Sequence, residues 1–432
     1  MQKFDEVPPI RPDYDQPNYD VSKISPYTLE DPLTFMDGTR VVTADDWQKR
    51  RKEILALFAR EMYGQEPPKP EALVIEKTEE KLDAFGGYGV RAQYSMWFKP
   101  DKSGPCIHWL LVRPRYAKGP VPVILFLNYK GNHEMLPDEE IPVCTAWRRS
   151  DVPGGPHYST AETRGKFCNP SSSTTFPAGV FIARGYAVLT ACYCEVSPDP
   201  NFNEPDERYR QESFAYTGVF PLWGERDQSR DDNTTALGAW AWALSRGLDL
   251  AERIPELDAK RAVVTGCSRL GKSALLAMAR DERFAVCVPN QCGGGGVTLA
   301  KRDYGENVAT EMTRFTHWYC KAYGKYAKNP AKLLTFDQHL LLASIAPRPV
   351  LVESFNSSPW MDPEGEFISC QAASPAWEFC GEKGMPQGEY PEPYDTKYME
   401  GTLAFVLRTE EHGLATVDWL WLMDFADRYL KK

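Results

Sequence analysis

The sequence predicts an α/β fold built on a mostly parallel, doubly wound sheet with helices on both faces. After Pro122, short continuous apolar runs alternate with helical stretches, which is typical of strands buried on both faces and joined by crossover helices. Before that point, alternating apolar and polar residues between about Ala72 and Arg113 predict an antiparallel pair at one edge of the sheet. With 42% apolar residues, the composition is that of an ordinary globular protein.

The N-terminal part is predicted to be an extension packed on this fold. The first forty residues are rich in Pro, Asp and Tyr and show no periodicity, so an irregular arm is expected there. A helix is predicted from about Thr43 to Tyr63, because apolar residues recur at three- and four-residue spacing after polar start signals. We therefore divide the chain into an arm and helix, residues 1–70, and a main domain, residues 71–432.

The elements of the main domain follow from the same patterns. The predicted parallel strands are Val123–Leu127, Ala187–Cys192, Ala262–Thr265, Phe284–Val288 and Pro349–Val352, and the clearest helices are Asn233–Arg246, Ser273–Arg280 and Val417–Tyr429. No internal repeat or linker interrupts this succession, so one α/β domain is expected.

Composition excludes several classes of function. The net charge of −10, without any Lys/Arg run, argues against a nucleic-acid groove, which needs a basic stripe. No stretch approaches the ~20 apolar residues that span a bilayer. Eleven cysteines form no CxxC pair and no HExxH helix is present, so neither a metal site nor a dense disulfide framework is expected.

One segment carries the chemistry and matches two motifs. Residues Gly266–Ser273 fit the phosphate-binding pattern GxxxxGK[ST] and also resemble a nucleophile elbow, in which Ser268 sits at a sharp turn between strand and helix. A phosphate-binding loop normally follows the first strand and needs a later strand that ends in Asp, whereas here the later runs end in Pro289-Asn290 and Val352-Glu353. The elbow is therefore favoured.

An elbow requires an acid and then a histidine later in the chain. His412 fits, because it follows the apolar run from Leu403 and precedes the last predicted helix. The sequence thus predicts an α/β-hydrolase fold with Ser268 as nucleophile and His412 as its base. Leu270 stands where the common GxSxG pattern has its second glycine, and Gly271 comes one position later.

At this point a family resemblance becomes visible. The segment Gly266-Cys-Ser-Arg-Leu-Gly-Lys resembles the signature of carbohydrate esterase family 15, the glucuronoyl esterases. Three other segments resemble the bacterial branch of that family: Phe126-Leu-Asn-Tyr-Lys-Gly-Asn-His, Thr335-Phe-Asp-Gln-His-Leu-Leu-Leu-Ala-Ser-Ile-Ala-Pro-Arg-Pro and Trp360-Met-Asp-Pro-Glu-Gly-Glu-Phe. The resemblance covers roughly residues 121–432.

The resemblance implies a serine esterase without cofactor or metal, which cleaves esters between 4-O-methyl-glucuronic acid of xylan and lignin alcohols. It implies a plant cell-wall polysaccharide or uronate ester as substrate, no nucleic-acid partner, and a secreted or periplasmic protein whose signal has been removed. Ser268 and His412 keep their roles, and Arg269 becomes a cation that supports the oxyanion. The uronate would be held by Lys272, Glu306, Trp360 and Gln291. Plain structural roles remain open, such as pairing of Glu306 with Arg302.

This sequence differs from the family at the position of the catalytic acid. Fungal relatives carry it where Gln291 stands here, and many bacterial relatives carry an Asp where Ser358 stands. Glu353, at the end of the penultimate strand, is our prediction, with Asp362 as the next choice. The vacant positions also leave open a degenerate uronate-binding homologue with weak or no activity. Esters of acetylated xylan or methyl-esterified pectin are alternative substrates.

Overall fold

One large sheet organises the molecule. The computed structural model describes residues 17–150, 155–170, 172–200, 207–210 and 212–431. The described strands are β1 Val74–Ala84, β2 Gly89–Trp97, β3 Cys106–Pro114, β4 Val121–Asn128, β5 Ala187–Cys192, β6 Leu257–Cys267, β7 Val286–Asn290, β8 Val350–Phe355 and β9 Leu403–Arg408. They form a single sheet in the order β1-β2-β3-β5-β4-β6-β7-β8-β9.

The strand directions confirm the predicted fold class. Strands β5, β4, β6, β7, β8 and β9 run parallel to their neighbours. Strands β1, β2 and β3 form an antiparallel edge, and β3 joins the parallel part by pairing antiparallel with β5. The edge therefore contains three strands rather than the predicted pair. The additional strand, β1, is largely exposed and rich in Glu and Lys, so it lacks the apolar signal of a strand.

Helices connect and cover these strands. The described helices are α1 Ala44–Phe58, α2 Asn132–Met135, α3 Ala178–Arg184, α4 Tyr193–Val196, α5 Glu207–Arg210, α6 Glu212–Ala215, α7 Ala236–Ala251, α8 Arg269–Arg280, α9 Val308–Arg314, α10 Pro330–Leu333, α11 Gln338–Ala343, α12 Pro363–Phe379 and α13 Thr416–Leu430. The long helices α7, α8 and α13 lie where the apolar periodicity predicts them.

The sheet has a hydrophobic core on each face. Along β4, Val123, Leu125 and Leu127 pack into the larger core with α7 and α8, whereas Ile124 and Phe126 pack into the second core with α3 and α13. Alternate side chains of a strand point to opposite faces, so a strand with helices on both sides is apolar throughout. This arrangement explains the continuous apolar runs in the sequence.

The N-terminal helix belongs to the larger core. Thr43 caps α1 through a reciprocal pair of hydrogen bonds with Asp46, and Trp47 and Ile54 are buried against the main domain. The chain continues as a π-helical turn over Ala59–Tyr63, so the predicted helix is present in two parts. Much of the predicted irregular arm falls on residues 1–16, which lie outside the described residues. The division at residue 70 stays a prediction.

The structure also bears on three predictions from the sequence, which concern cysteines, membrane-spanning helices and metal-binding side chains. All eleven cysteines are described and are free thiols. In the described ranges, no helix is both long and apolar enough to cross a membrane. The same ranges contain no cluster of three or more His, Cys, Asp or Glu side chains that could hold a metal ion.

Candidate active site

Ser268 occupies a strained turn between β6 and α8. Its backbone has φ 58° and ψ −129°, a conformation that non-glycine residues rarely adopt and that is typical of a nucleophile elbow. The turn is held because Ser268 N–H donates to the carbonyl of Asn290 on the neighbouring β7 at 2.9 Å. The side chain is partly exposed. This geometry is what a serine nucleophile needs.

Two glycines permit this turn. A Cβ on Gly266 would lie 2.4 Å from the carbonyl oxygen of Leu270, and a Cβ on Gly271 would lie 2.7 Å from the carbonyl oxygen of Gly266. Both positions therefore exclude any larger residue. Gly271 makes the close approach between helix and strand, which explains why Leu270 can stand where the common pattern has its second glycine.

The same geometry argues against the phosphate-binding interpretation. Such a loop needs a lysine whose ammonium reaches a nucleotide phosphate. Here Nζ of Lys272 is 2.6 Å from Oε2 of Glu306, and the side chains of this ion pair are 0% and 4% exposed. Glu306 balances the charge of Lys272, so this lysine offers little attraction to a multiply charged phosphate.

His412 lies beside the elbow. It belongs to the loop between β9 and α13, and it lines a cavity of about 370 Å³ together with Cys267 and Arg269, the two residues that flank Ser268. Tyr129 lines the same cavity and donates a hydrogen bond to the Cys267 carbonyl at 2.6 Å. The structure thus brings three predicted residues, Ser268, Arg269 and His412, to one site.

The loop that carries His412 is held from behind by two side chains. The Gln291 amide accepts a hydrogen bond from Gly413 N–H and donates one to the Gly413 carbonyl, both at 3.0 Å. Arg408 donates to the Gly413 carbonyl at 2.7 Å and pairs with Asp418 at 2.8 Å. Both atoms of the Gln291 amide are therefore engaged, and the geometry supports a positioning role rather than the predicted contact with substrate.

No carboxylate touches His412 in the part of the chain that the structure describes. The imidazole packs edge to face against Phe355, with ring centroids 5.5 Å apart, and no hydrogen bond to a described residue involves it. The ring has an exposed side, yet the surrounding protein desolvates it and the cations Arg269, Lys272 and Arg408 repel its charged form. Together these effects lower the pKa of His412 from 6.5 to about 4.

Glu353, the predicted acid, has other partners. It is 1% exposed, and its Oε2 accepts a hydrogen bond from the Asn290 amide at 2.7 Å. Burial, followed by repulsion from Asp418, raises the pKa of Glu353 well above 4.5, which disfavours the charged form that a triad acid needs. The geometry gives no support to Glu353 as the acid. Asp362, the next choice, is engaged by Arg302 at 2.8 Å and caps α12.

Arg269 is fixed by a buried carboxylate that the sequence does not reveal. Its Nη1 pairs with Asp199, which is 0% exposed. Asp199 also accepts hydrogen bonds from Tyr193, His317 and Trp318, at 3.1, 2.8 and 2.8 Å. Desolvation opposes the charge of Asp199, but the nearby cations outweigh it and hold the pKa of this carboxyl well below 3.8. The ion pair fixes the guanidinium at the cavity wall, where it can stabilise negative charge.

Three residues predicted to bind the uronate lie together. Lys272 pairs with Glu306, and Glu306 N–H donates to the carbonyl of Trp360 at 2.7 Å. The alternative pairing of Glu306 with Arg302 is wrong, because Arg302 binds Asp362 instead. Trp360 is partly exposed, and it is the member of this group with the most open surface.

Comparison with known proteins identifies the family. A family model described as glucuronyl esterase, fungi, matches residues 208–381. A carbohydrate esterase from an unknown prokaryotic organism is 35% identical over 423 residues, which cover 96% of this chain and 94% of the relative. The chain belongs to carbohydrate esterase family 15. It is a carboxylic ester hydrolase.

Two further relatives of this esterase agree. The solved structure of a promiscuous family 15 esterase from a marine bacterial metagenome has a TM-score of 0.84 at 34% identity and covers 96% of this chain and 100% of the other. A 4-O-methyl-glucuronoyl methylesterase from Schizophyllum commune is 26% identical over 373 residues, covering 84% of this chain and 76% of the relative. The first of these confirms the α/β-hydrolase fold that the elbow predicts.

The low pKa of His412 predicts an unusual pH profile. A general base must be neutral, so His412 is competent above its pKa and loses competence as the pH falls through it. We expect kcat/KM for an ester substrate to stay nearly constant from pH 7 down to about pH 5 and to be half lost near pH 4.

Circular dichroism at each pH is the control for unfolding in this experiment. Half-loss of kcat/KM between pH 6 and 7 in folded enzyme is the behaviour of an unperturbed imidazole, and it would contradict the lowered pKa of His412.

The lack of a carboxylate partner for His412 among the described residues predicts the outcome of two further substitutions. Glu353 bonds Asn290 rather than His412, so Glu353→Gln should lower kcat less than tenfold, whereas loss of a true triad acid costs on the order of 10⁴-fold. Gln291→Glu keeps an acceptor for Gly413 N–H, while Arg408 still serves the Gly413 carbonyl. It adds a negative charge near His412 and should raise kcat severalfold.

Steady-state kinetics on one ester would check both variants. A severe loss in Glu353→Gln, together with no gain in Gln291→Glu, would mean that Glu353 serves as the acid after all.

Proposed function

We propose that this esterase hydrolyses esters of glucuronate, of the kind that join 4-O-methyl-glucuronic acid of xylan to alcohols. The observation that carries the proposal is the position of Lys272, Glu306 and Trp360 relative to Ser268. Lys272 lies one helical turn after the nucleophile Ser268. A polar sugar held by Lys272, Glu306 and Trp360 would therefore present its ester to Ser268. Family membership and the glucuronoyl relative support the same substrate.

The chemistry follows from the residues at the cavity. His412 takes the proton of Ser268 as Oγ attacks the ester carbonyl, and the oxyanion that forms lies near Arg269. His412 then returns the proton to the leaving alkoxide, and water repeats the sequence on the acyl-enzyme. Because His412 has no carboxylate partner among the described residues, we propose that the enzyme is slow compared with a complete triad.

A panel of three esters tests the substrate. The proposal expects higher kcat/KM for benzyl glucuronate ester and for methyl glucuronate ester than for 4-nitrophenyl acetate. Faster hydrolysis of the acetate would favour an acetyl esterase, an alternative that the described promiscuity of the metagenomic relative motivates. Binding of glucuronic acid without turnover of any ester would favour a degenerate uronate-binding protein.

Lys272→Ala distinguishes sugar recognition from support of the elbow. We expect kcat/KM for glucuronate esters to fall about 100-fold and for 4-nitrophenyl acetate to fall less than about fivefold, since only the sugar uses this group. The substitution also leaves Glu306 buried without its partner, which costs about 3–5 kcal/mol of unfolding free energy.

The double variant Lys272→Ala/Glu306→Gln controls for that loss, because it removes the unpaired charge as well. Equal losses on both kinds of ester in the double variant would show that Lys272 supports the elbow and not the sugar.

We also propose that the protein acts outside the cytoplasm, because a cell-wall polymer cannot enter the cell. Detection of the protein in culture fluid or periplasm of its source, with none in the cytoplasm, tests this location.

A further inference from the structure

The cavity beside Ser268 has basic walls. Four cations line it, Lys130, Arg149, Lys166 and Arg269, and none of its described lining residues is Asp or Glu. This is unexpected in a chain with a net charge of −10. A concave site lined by cations concentrates anionic ligands, because the low-dielectric walls strengthen the local field.

Two of these cations make no direct ion pair within the described part of the chain. Arg269 is neutralised by Asp199. Arg149 and Lys166, in contrast, make no ion pair or side-chain hydrogen bond with a described residue. The Arg149 guanidinium lies 5.9 Å from the Phe315 ring centroid, and its charge adds to that of Arg269 in lowering the pKa of Asp199. Arg149 is partly exposed and Lys166 is exposed. Unpaired cations at the wall of a cavity can bind a carboxylate without displacing an internal partner.

The carboxyl group of Glu134 interacts with Lys130 and Lys166 of this wall. Glu134 is 1% exposed, and burial raises its pKa above 4.5 although Lys130 and Lys166 act in the opposite direction. Glu134 is also absent from the cavity lining. The positive charge of the wall therefore faces the open cavity.

The side of the site on which this cavity lies identifies its occupant. The imidazole that returns a proton to the leaving alkoxide must stand on the alcohol side of the ester, and His412 lines the cavity. Lys272, Glu306 and Trp360, the residues proposed for the uronate, do not line it. The cavity is therefore where the alcohol half of the substrate lies.

The cavity walls also include aromatic side chains, beside the polar residues 172–175. Phe126, Phe167, Tyr129, Tyr193 and Trp419 all line the cavity. Aromatic walls suit an aromatic ring, which they contact edge to face or offset. The cavity thus combines an aromatic lining with cations at its wall.

We propose that the preferred substrates are uronate esters of aromatic alcohols that carry a carboxylate. The inference rests on the proposed function and specifies the alcohol half of its substrate. In the reaction, the bond from Ser268 Oγ to the carbonyl carbon forms and the ester C–O bond breaks. The Oγ proton passes through His412 to the leaving alkoxide, and the hydroxy acid departs. Water then releases the uronate, so that each turnover yields two carboxylic acids.

A matched pair of esters tests this preference. Benzyl glucuronate ester and its 4-carboxybenzyl counterpart differ only in a carboxylate on the alcohol ring. At low salt we expect kcat/KM to be about tenfold higher for the carboxylated ester, and the ratio to shrink as salt screens the partly exposed cations. In Arg149→Gln/Lys166→Gln the ratio should fall to about one. The control Lys118→Gln removes an exposed cation that does not line the cavity and should leave the ratio unchanged.

The outcomes separate this inference from the proposed function. The inference is overturned if the kcat/KM ratio is one in the wild-type enzyme or if it persists in the double variant. Hydrolysis of both esters in the same experiment upholds the proposed function. If neither ester is hydrolysed, the proposed function is wrong. The inference about the cavity is then tested by binding of the two alcohols alone. A higher Tm with 4-carboxybenzyl alcohol than with benzyl alcohol, lost in the double variant, then supports an anion-binding cavity, and equal Tm values overturn it.

Discussion

Ser268→Ala should lower kcat by about 10⁴-fold or more and leave the fold unchanged. The hydroxyl is the only part of Ser268 that reacts, and its removal leaves only binding and oxyanion stabilisation to accelerate hydrolysis. The backbone of this turn should persist, because its hydrogen bond to Asn290 and the close approach of Gly271 do not involve the hydroxyl. Steady-state kinetics on a glucuronate ester and circular dichroism would measure the two effects.

Ser273→Ala is the matched control. Ser273 lies in α8, the helix that follows Ser268, and its buried hydroxyl donates to the Arg269 carbonyl at 2.9 Å. Loss of this hydroxyl should change kcat by less than about threefold. Under the phosphate-binding interpretation the order would reverse, because Ser273 would then hold the magnesium ion. Undiminished turnover in Ser268→Ala would contradict the assignment of the nucleophile.

The sequence could predict the elbow because the chemistry there is local. A strand, a tight turn and a helix are adjacent in the chain, and the turn demands glycine at Gly266 on steric grounds. The parallel strands were equally predictable, because burial on both faces leaves an unbroken apolar run. The edge strand β1 escaped detection because exposure on the sheet edge allows polar residues.

The partners of the site residues could not be predicted, because they are distant in the chain. Asp199 follows no recognisable pattern, yet it folds against Arg269 across 70 positions. The pairing of Gln291 with Gly413 joins positions 122 apart. Tyr129 is the residue that a topological argument could have found, since it follows β4, a direct neighbour of β6, and the carboxyl ends of parallel strands meet at one edge.

Glu353 lies where the sequence predicts an acid, but its surroundings disfavour the charged form of its carboxyl group. It lies on β8, beside the β7 strand end that carries Asn290, as an acid of this fold would. Its environment, however, is dry and includes a second carboxyl group, Asp418, so the uncharged form is favoured. Sequence position specifies where a side chain lies along a strand, but the ionisation state depends on neighbours that only the fold brings together.

Arg269→Met should lower kcat about 10²–10³-fold, the effect of removing one group that stabilises the oxyanion. It should also lower the free energy of unfolding by about 3–5 kcal/mol, because Asp199 would remain buried with its main counter-ion gone. The two effects have different causes, and a second substitution can separate them. In Arg269→Met/Asp199→Asn the unpaired charge is removed as well, while the asparagine oxygen still accepts from Trp318.

The double variant should therefore regain much of the lost stability and remain as slow as Arg269→Met. Urea unfolding measures the first quantity and kcat on a glucuronate ester the second. If kcat recovered together with stability, Arg269 would act by holding the fold around the elbow. If stability recovered but kcat did not, the guanidinium would act directly on the reacting oxygen. Both variants lack that interaction with the transition state, and the second substitution does not restore it.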